Sequence, residues 1–249
     1  MPKVVDHEAR REELADAMWR VALRDGFPAV SVRTVAREAG WSPGALRHYF
    51  ATSGEMIAFA VEWAVRQVRQ RFDALDAARG GAVTPATPLE ILEQLLPLDA
   101  NRRVESEAWL TLVSNAHVGA QLREQRREVD GLIRYVVRTV IRQLDDLGRL
   151  AAHRDPEVET ARLHALLDGL VVQGIADPPG VTPTGIRAVL HQHLDDLAHQ
   201  ADLTHQADRP TARGTEEQRN SPCRDVAQPS SHSQPLRTGT ADGVDLAST

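Results

Sequence analysis

Three groups of side chains in this 249-residue sequence have types and spacings that suit chemistry, each of a different kind. Ser31, Arg33, Ser42, Arg47, His48, Tyr49 and Ser53 gather hydrogen-bond donors and cations in one short stretch, a set suited to phosphate oxygens. Within it, Pro43 is followed by Gly44 and Ala45, small enough to let a helix approach the edges of bases, with the Ala45 methyl available to a thymine methyl. The planar fork of Arg47 fits either the O6/N7 edge of a guanine or a phosphate, and residue type alone leaves both open. The second group is His191, Asp195 and His199, which recur every fourth residue and so form one stripe of potential metal ligands on a helix. With His193 and Asp196 beside them near a helix end, the same stripe also reads as a solvated or dimer-rim face. The third group is aromatic. Phe59 and Trp63 lie four apart, and with Gln67, Trp109 and Asn115 they would line a ligand wall, where Glu62 or Glu107 adds charge for an organic cation. Core packing is the competing reading, because large aromatics dominate cores and form only 4% of this chain.

Little else supports enzymatic chemistry. There is no Gly-rich phosphate loop, G-x-S-x-G elbow or H-E-x-x-H, and the lone Cys223 stands in a polar stretch. No catalytic residue, metal or cofactor is therefore expected.

The donors and small residues need elements to hold them, and these are legible. Val32, Val35, Ala36 and Ala39 recur at helical spacing, and Gly40 supplies the left-handed backbone of a sharp turn. Ser42 and Pro43 then open a second helix as cap and first residue, running to Tyr49. This is a helix-turn-helix. The Ala36 methyl lets the second helix cross closely over the first; Leu46 and Phe50 point inward and leave Gly44, Ala45, Arg47 and His48 outside. An apolar stripe of Leu14, Ala17, Met18, Val21 and Ala22, stopped by Gly26 and Pro28, completes a three-helix head.

Ser53 to Ala78 reads as one long helix joining head to body, with helices over Leu89–Leu96, Arg103–Val118 and Gln121–Ala151 to follow. Asp155-Pro156 and Thr182-Pro183 repeat the cap-plus-proline start and open helices to about Ile175 and Ala198. The first is apolar on more than one side, which predicts burial inside its own subunit and against a second copy. From Ala201 to Thr249 Ser, Thr, Gln, Pro, Gly and Asp dominate, a composition that predicts disorder. The net charge of −6 argues against coating nucleic acid along the whole chain, yet from Ser31 to Phe50 Arg33, Arg37 and Arg47 face a single acid, Glu38. No apolar run approaches the roughly 20 residues of a membrane helix and the N-terminus lacks a signal-peptide core, so no membrane partner and a cytoplasmic location are expected.

With these residues placed, the chain resembles the TetR family of ligand-responsive transcriptional repressors. Gly26, Ser31, Val35, Ala36, Ala39, Gly40, Ser42, Gly44, Leu46 and Phe50 match the family's N-terminal signature. The stretches Leu96 to Leu110, Leu166 to Ile175 and Thr182 to Asp195 are similar to the body of its BetI-like branch. The resemblance implies that the second short helix enters the major groove while Ser31, Arg33, Ser42, His48 and Tyr49 clamp phosphates. Arg47 and Ser53 stand where many relatives carry a tyrosine and a lysine; Ser53 is expected to cap the connecting helix and aim its first amides at a phosphate. A homodimer on a palindromic double-stranded DNA operator is also implied. Its helices from Pro156 and Pro183 would pair with their copies as a four-helix bundle, through Leu163, Leu167, Leu170, Val171, Ile175 and Val189. An unidentified small-molecule effector in the body would respace the heads through the connecting helix, and choline sensing in part of the BetI branch points to cations.

The expectation is thus an all-α protein, with a helix-turn-helix head over 8–52, a ligand-binding and dimerisation body over 53–200 and a tail over 201–249. Its function would be that of an effector-released repressor. Two alternatives stand beside it: a helical sensor without operator binding, and a metal-dependent helical enzyme. Ala36, Gly40 and Gly44 argue against the sensor, which needs neither a close helix crossing nor a small-residue face.

Overall fold

The computed structural model describes residues 7–78 and 86–199, and every regular element among them is helical. The expected tail from residue 201 lies outside the described residues. The head consists of α1 (His7–Asp25), a 3₁₀ turn (Phe27–Ala29), α2 (Val32–Ala39) and α3 (Pro43–Arg47). The body follows with α4 (Ser53–Ala78), α5 (Pro88–Glu93), α6 (Ala100–Asn115), α7 (Ala120–Asp146), α8 (Pro156–Ala176) and α9 (Pro183–His199). No helix among the described residues is long and apolar enough to cross a membrane.

Most helix starts are written locally. Ser31 accepts from the Thr34 N–H while Thr34 Oγ1 accepts from the Ser31 N–H, a reciprocal capping box, and Thr87 with Glu90 repeats it before α5. Asp155 Oδ1 accepts from the amides of Glu157 and Val158, and Thr182 Oγ1 accepts from that of Gly185. Helix ends were harder to place. α3 is two residues shorter than its pattern suggests, and α6 starts three residues earlier than its pattern suggests, because Asp99 caps it through the Arg102 amide at 2.9 Å. α7 stops at Asp146 instead of Ala151: Gly148 turns left-handed (φ +64°) and the Arg149 N–H returns to Leu144 O at 2.8 Å. Leu150 is thereby folded into the core, while Leu147 is left 61% exposed.

Two apolar cores result. One joins Leu14 and Met18 of α1, Val35 and Ala36 of α2, Leu46 and Phe50 to Phe59 of α4 and to Ala108 and Leu112 of α6. The other packs α5, α7, α8 and α9 around Leu92, Val140, Ile141, Leu163 and Leu190. The expected boundary between head and body falls between residues 52 and 53, yet the first core runs across it.

The Gly40 turn is the tightest local requirement in the head. Its φ of +71° lies where a Cβ is disfavoured, although a Cβ there meets nothing within 4 Å. Gly40→Ala is therefore expected to cost about 1–2 kcal/mol from the backbone alone, lowering the melting temperature by about 2–8 °C. Gly44→Ala, inside α3 with only Ser42 Oγ at 3.9 Å from the new Cβ, should cause no loss in the same thermal scan.

Candidate nucleic-acid interface and body cavity

α3 is positioned from both ends. At its start Ser42 Oγ accepts from the Ala45 N–H at 3.1 Å, and Pro43 takes the first helical position. Just before it, the Trp41 N–H returns to Ala36 O at 2.8 Å, closing the turn around Gly40. Leu46 is fully buried and Phe50 stacks at a tilt on Phe59, with ring centroids 5.0 Å apart. Trp41 is pinned by its Nε1–H to Glu13 Oε1 at 3.0 Å, lies under the Arg10 guanidinium and meets the ring of Tyr49 edge-on.

This geometry leaves Ser31, Arg33, Ser42, Pro43, Gly44, Arg47, His48 and Ser53 exposed, with Ala45 and Tyr49 half-buried. All lie on or beside the helix-turn-helix and the start of α4. The electrostatics are cleaner than the sequence shows. Glu38, the one acid of the segment, accepts from Arg24 at 2.9 Å and from Arg20 at 3.0 Å, both from α1. Hydrogen bonds from Arg24 and then Arg20 hold its carboxyl below the ordinary glutamate range. Arg33, Arg37 and Arg47 make no salt bridge among the described residues, so the reader presents uncompensated positive charge.

Ser53 does not cap α4. Thr52 does: its Oγ1 accepts from the Glu55 N–H at 3.1 Å, and Glu55 Oε2 accepts from the Ala51 N–H at 2.9 Å. Ser53 is the first helical residue, its side chain outward. Two adjacent hydroxyls competed for one cap position in the sequence, and Glu55 three residues on favours Thr52.

The body holds a half-open cavity of about 200 Å³ between α4, α6, α7 and α8, walled by apolar side chains such as Val65, Phe72, Trp109 and Ile133. Of the five residues expected to form a ligand wall, only Trp109 lines it. Phe59 belongs to the first core, 3% exposed, and Asn115 spends its side-chain amide on Thr111 O at 2.8 Å. Trp63 and Gln67 face a separate open cleft against Asp16 and Trp19 of α1. Glu62 pairs with Arg11 at the surface, and Glu107 is engaged by the head and by Arg103. The polar groups of the cavity were invisible in the sequence: Glu105 is buried in a two-pronged pair with Arg71, and Asp168 reaches the cavity from α8. Burial pushes the Glu105 carboxyl up despite the pull of Arg71, and does the same to Asp168.

The apolar residues of α8 face mostly inward. Leu163, Leu167, Leu170 and Val171 are buried in the core of their own subunit, Ile175 is half-buried, and Val189 on α9 is 46% exposed. The outer face of α8 is instead Ala161, Ala165, Gly169 and Val172. His191 Nδ1 pairs with Asp195 Oδ2 at 2.9 Å, and the His199 side chain lies outside those described.

A helix-turn-helix head with an exposed small-residue face, carried on a helical body that holds an apolar cavity, defines a DNA-binding regulator rather than an enzyme. Residues 14–58 match the model for bacterial regulatory proteins of the tetR family, and residues 88–199 match that for the C-terminal part of BetI-type transcriptional repressors. The HTH-type transcriptional regulator PksA of Bacillus subtilis strain 168 is 35% identical over 197 residues, spanning 79% of this chain and 94% of its own. A solved transcriptional regulator from Rhodococcus sp. Rha1 is 32% identical with a TM-score of 0.60, over 77% of this chain and 97% of that one. Another, from Saccharomonospora viridis in complex with choline, shares the fold at 23% identity and a TM-score of 0.61, over 76% and 95%. The chain belongs to the TetR family of transcriptional regulators.

The cap assignment is directly testable. Thr52→Ala should destabilise the protein by about 0.5–2 kcal/mol in denaturant unfolding, whereas Ser53→Ala should be close to neutral.

Proposed function

We propose that the protein is a cytoplasmic repressor that binds a palindromic operator as a two-fold dimer and is released when a small organic effector enters the body cavity. The observation that carries this reading is the outer face of α3, where Gly44 and Ala45 are flanked by exposed cations while Glu38 is neutralised from behind by Arg20 and Arg24. Small residues admit the helix to the major groove, Arg33, His48 and the hydroxyls of Ser31, Ser42 and Tyr49 hold phosphates, and Arg47 reaches toward the bases or the backbone. Ser53, at the first turn of α4, offers a phosphate its hydroxyl and nearby amides.

One head covers too few base pairs for useful affinity, and the surface of the body supports pairing. Ala161, Ala165 and Gly169 repeat every fourth residue on the outside of α8, a spacing that lets a second helix approach closely. Gly169 sits in a helix interior at a cost of about 1 kcal/mol relative to Ala, and among the described residues nothing beyond its own helical turn lies within 4 Å of where a Cβ would stand. A crossing helix from a second copy supplies the reason. In this reading the interface comprises that stripe with Val172 and Val189, and the leucines of α8 support it from beneath.

The cavity takes the effector. Trp109 and Phe72 offer aromatic faces and Asp168 a carboxylate, and the choline held by the S. viridis regulator makes an organic ammonium the first ligand to try.

The test is binding of the full chain to DNA upstream of its own gene across a salt series, beside Arg47→Ala. Affinity that needs both half-sites and falls steeply with salt is expected. The variant should lower the salt slope by about 1 if Arg47 holds a phosphate, or lose about 1–3 kcal/mol at one base position if it reads guanine. Absent or salt-insensitive binding would favour the sensor without operator binding. Separately, Val172→Asp with Val189→Asp should convert the dimer to a folded monomer in sedimentation and abolish two-half-site binding, since both side chains are exposed in the single subunit.

A further inference from the structure

Phe27 opens the 3₁₀ turn that leads into α2, and no side chain of the head caps that turn; Gly26 precedes it with φ +82° and none to offer. The Phe27 N–H donates instead to Glu107 Oε2 of α6 at 2.8 Å, and the Glu107 side chain is only 14% exposed. The second carboxylate oxygen accepts from Arg103 Nε, one turn earlier on α6, at 3.2 Å. Arg103 in turn donates from Nη1 to Gly174 O at 3.4 Å and from Nη2 to Ile175 O at 3.2 Å, two of the last four carbonyls of α8.

α6 thus carries, one turn apart and bonded to each other, an anion that caps the N-terminus of the head's 3₁₀ turn and a cation that caps the C-terminus of α8. On the head side the chain of hydrogen bonds continues. Thr34 Oγ1 donates to Ala29 O at 2.8 Å and closes the Ser31 capping box that starts α2. On the body side, Glu105, Ser106 and Trp109 of the same α6 line the cavity. Among the described residues, Arg11 of α1 pairs with Glu62 and lies over the Phe59 ring, and Trp19 bonds Asn101; neither link reaches the turn that precedes α2. The Arg103–Glu107 relay joins a largely buried carboxylate to that turn. α6 is thus bonded to the turn at one side and to the end of α8 at the other, so a shift of α6 either moves the turn with it or lengthens these bonds.

We infer that Arg103 and Glu107 are positioning residues that couple the C-terminal end of α8 and the cavity-lining helix α6 to the orientation of the DNA reader. Neither lies in the helix-turn-helix, and neither lines the cavity. The inference deepens the proposed repressor, and its test uses neither DNA nor ligand, so the two readings fail separately.

The experiment is backbone hydrogen exchange on the full chain, comparing wild type, Arg103→Ala, Glu107→Gln and the double variant, with exchange in the second core as the control for an intact fold. Arg103→Ala, at a side chain whose hydrogen bonds go to Glu107, Gly174 and Ile175 and not to residues 27–34, is expected to raise exchange there by about tenfold, the loss of a charge-assisted bond. Glu107→Gln cuts the same link and also replaces the charged acceptor of the Phe27 N–H by a neutral one, so it should raise exchange by at least as much. Adding Arg103→Ala to it should change residues 27–34 no further, because the coupling is already cut. Unchanged exchange at residues 27–34 in Arg103→Ala, or simple additivity in the double variant, would overturn the inference. Arg103→Lys, which keeps the charge and loses the fork that spans both partners, gives the same comparison should the alanine variant unfold.

Discussion

Leu46 is the contact on which the reader depends. α3 is five residues long, far below the length at which an isolated helix holds itself, so its shape comes from the Ser42 cap and Pro43 at its start and from this one leucine seated in the first core beside α2. Seating it requires the close crossing that Ala36 permits and the reversal that Gly40 makes. The outward face follows from the inward one: with Leu46 buried, Gly44, Arg47 and His48 are turned to solvent. The face proposed to read DNA is in this sense a by-product of a small hydrophobic core, and its precision is limited by how rigidly that core is held.

α6 is the element that makes head and body one object. Its inner face supplies Val104, Ala108 and Leu112 to the first core, while Trp109 packs against the second. The same helix buries Glu105 against Arg71 at the edge of the cavity. Such a pair offers little net stability, since desolvation offsets most of the attraction, but it fixes the two helices in one register and leaves polar atoms close to where a ligand would sit. A helix shared in this way by core, cavity and head turn has few ways to move, and that limits the repertoire of any response to a small number of arrangements.

Not all of the site could be read along the chain. The helix-turn-helix, the long α4 and the starts of α8 and α9 are local: they rest on caps, prolines, a positive-φ glycine and 3.6-residue periodicity, all of which act within a few residues. Helix ends fared worse, as α7 shows, because Gly148 and the return of Leu150 to the core depend on what lies beneath. The aromatic wall failed for a related reason. Phe59 and Trp63 share a face of α4, but a long helix meets different neighbours along its length, the first core at Phe59 and an open cleft against α1 at Trp63. The leucines of α8 are similar: an all-round apolar helix shows that it must be covered on several sides, not which side its own subunit covers.

By itself, then, the sequence determined the class of fold and which face of α3 turns to solvent, since short-range hydrogen bonding and periodic burial leave those residues few alternatives. Only the tertiary structure decided which acid is silenced behind the reader, where the cavity lies and how α6 grips the head. Each of these joins residues far apart in the chain, and pairings such as Glu38 with Arg20, Glu105 with Arg71 or Glu107 with the Phe27 amide exist only once packing has brought them within about 3 Å, the range in which charge and hydrogen bonding become specific.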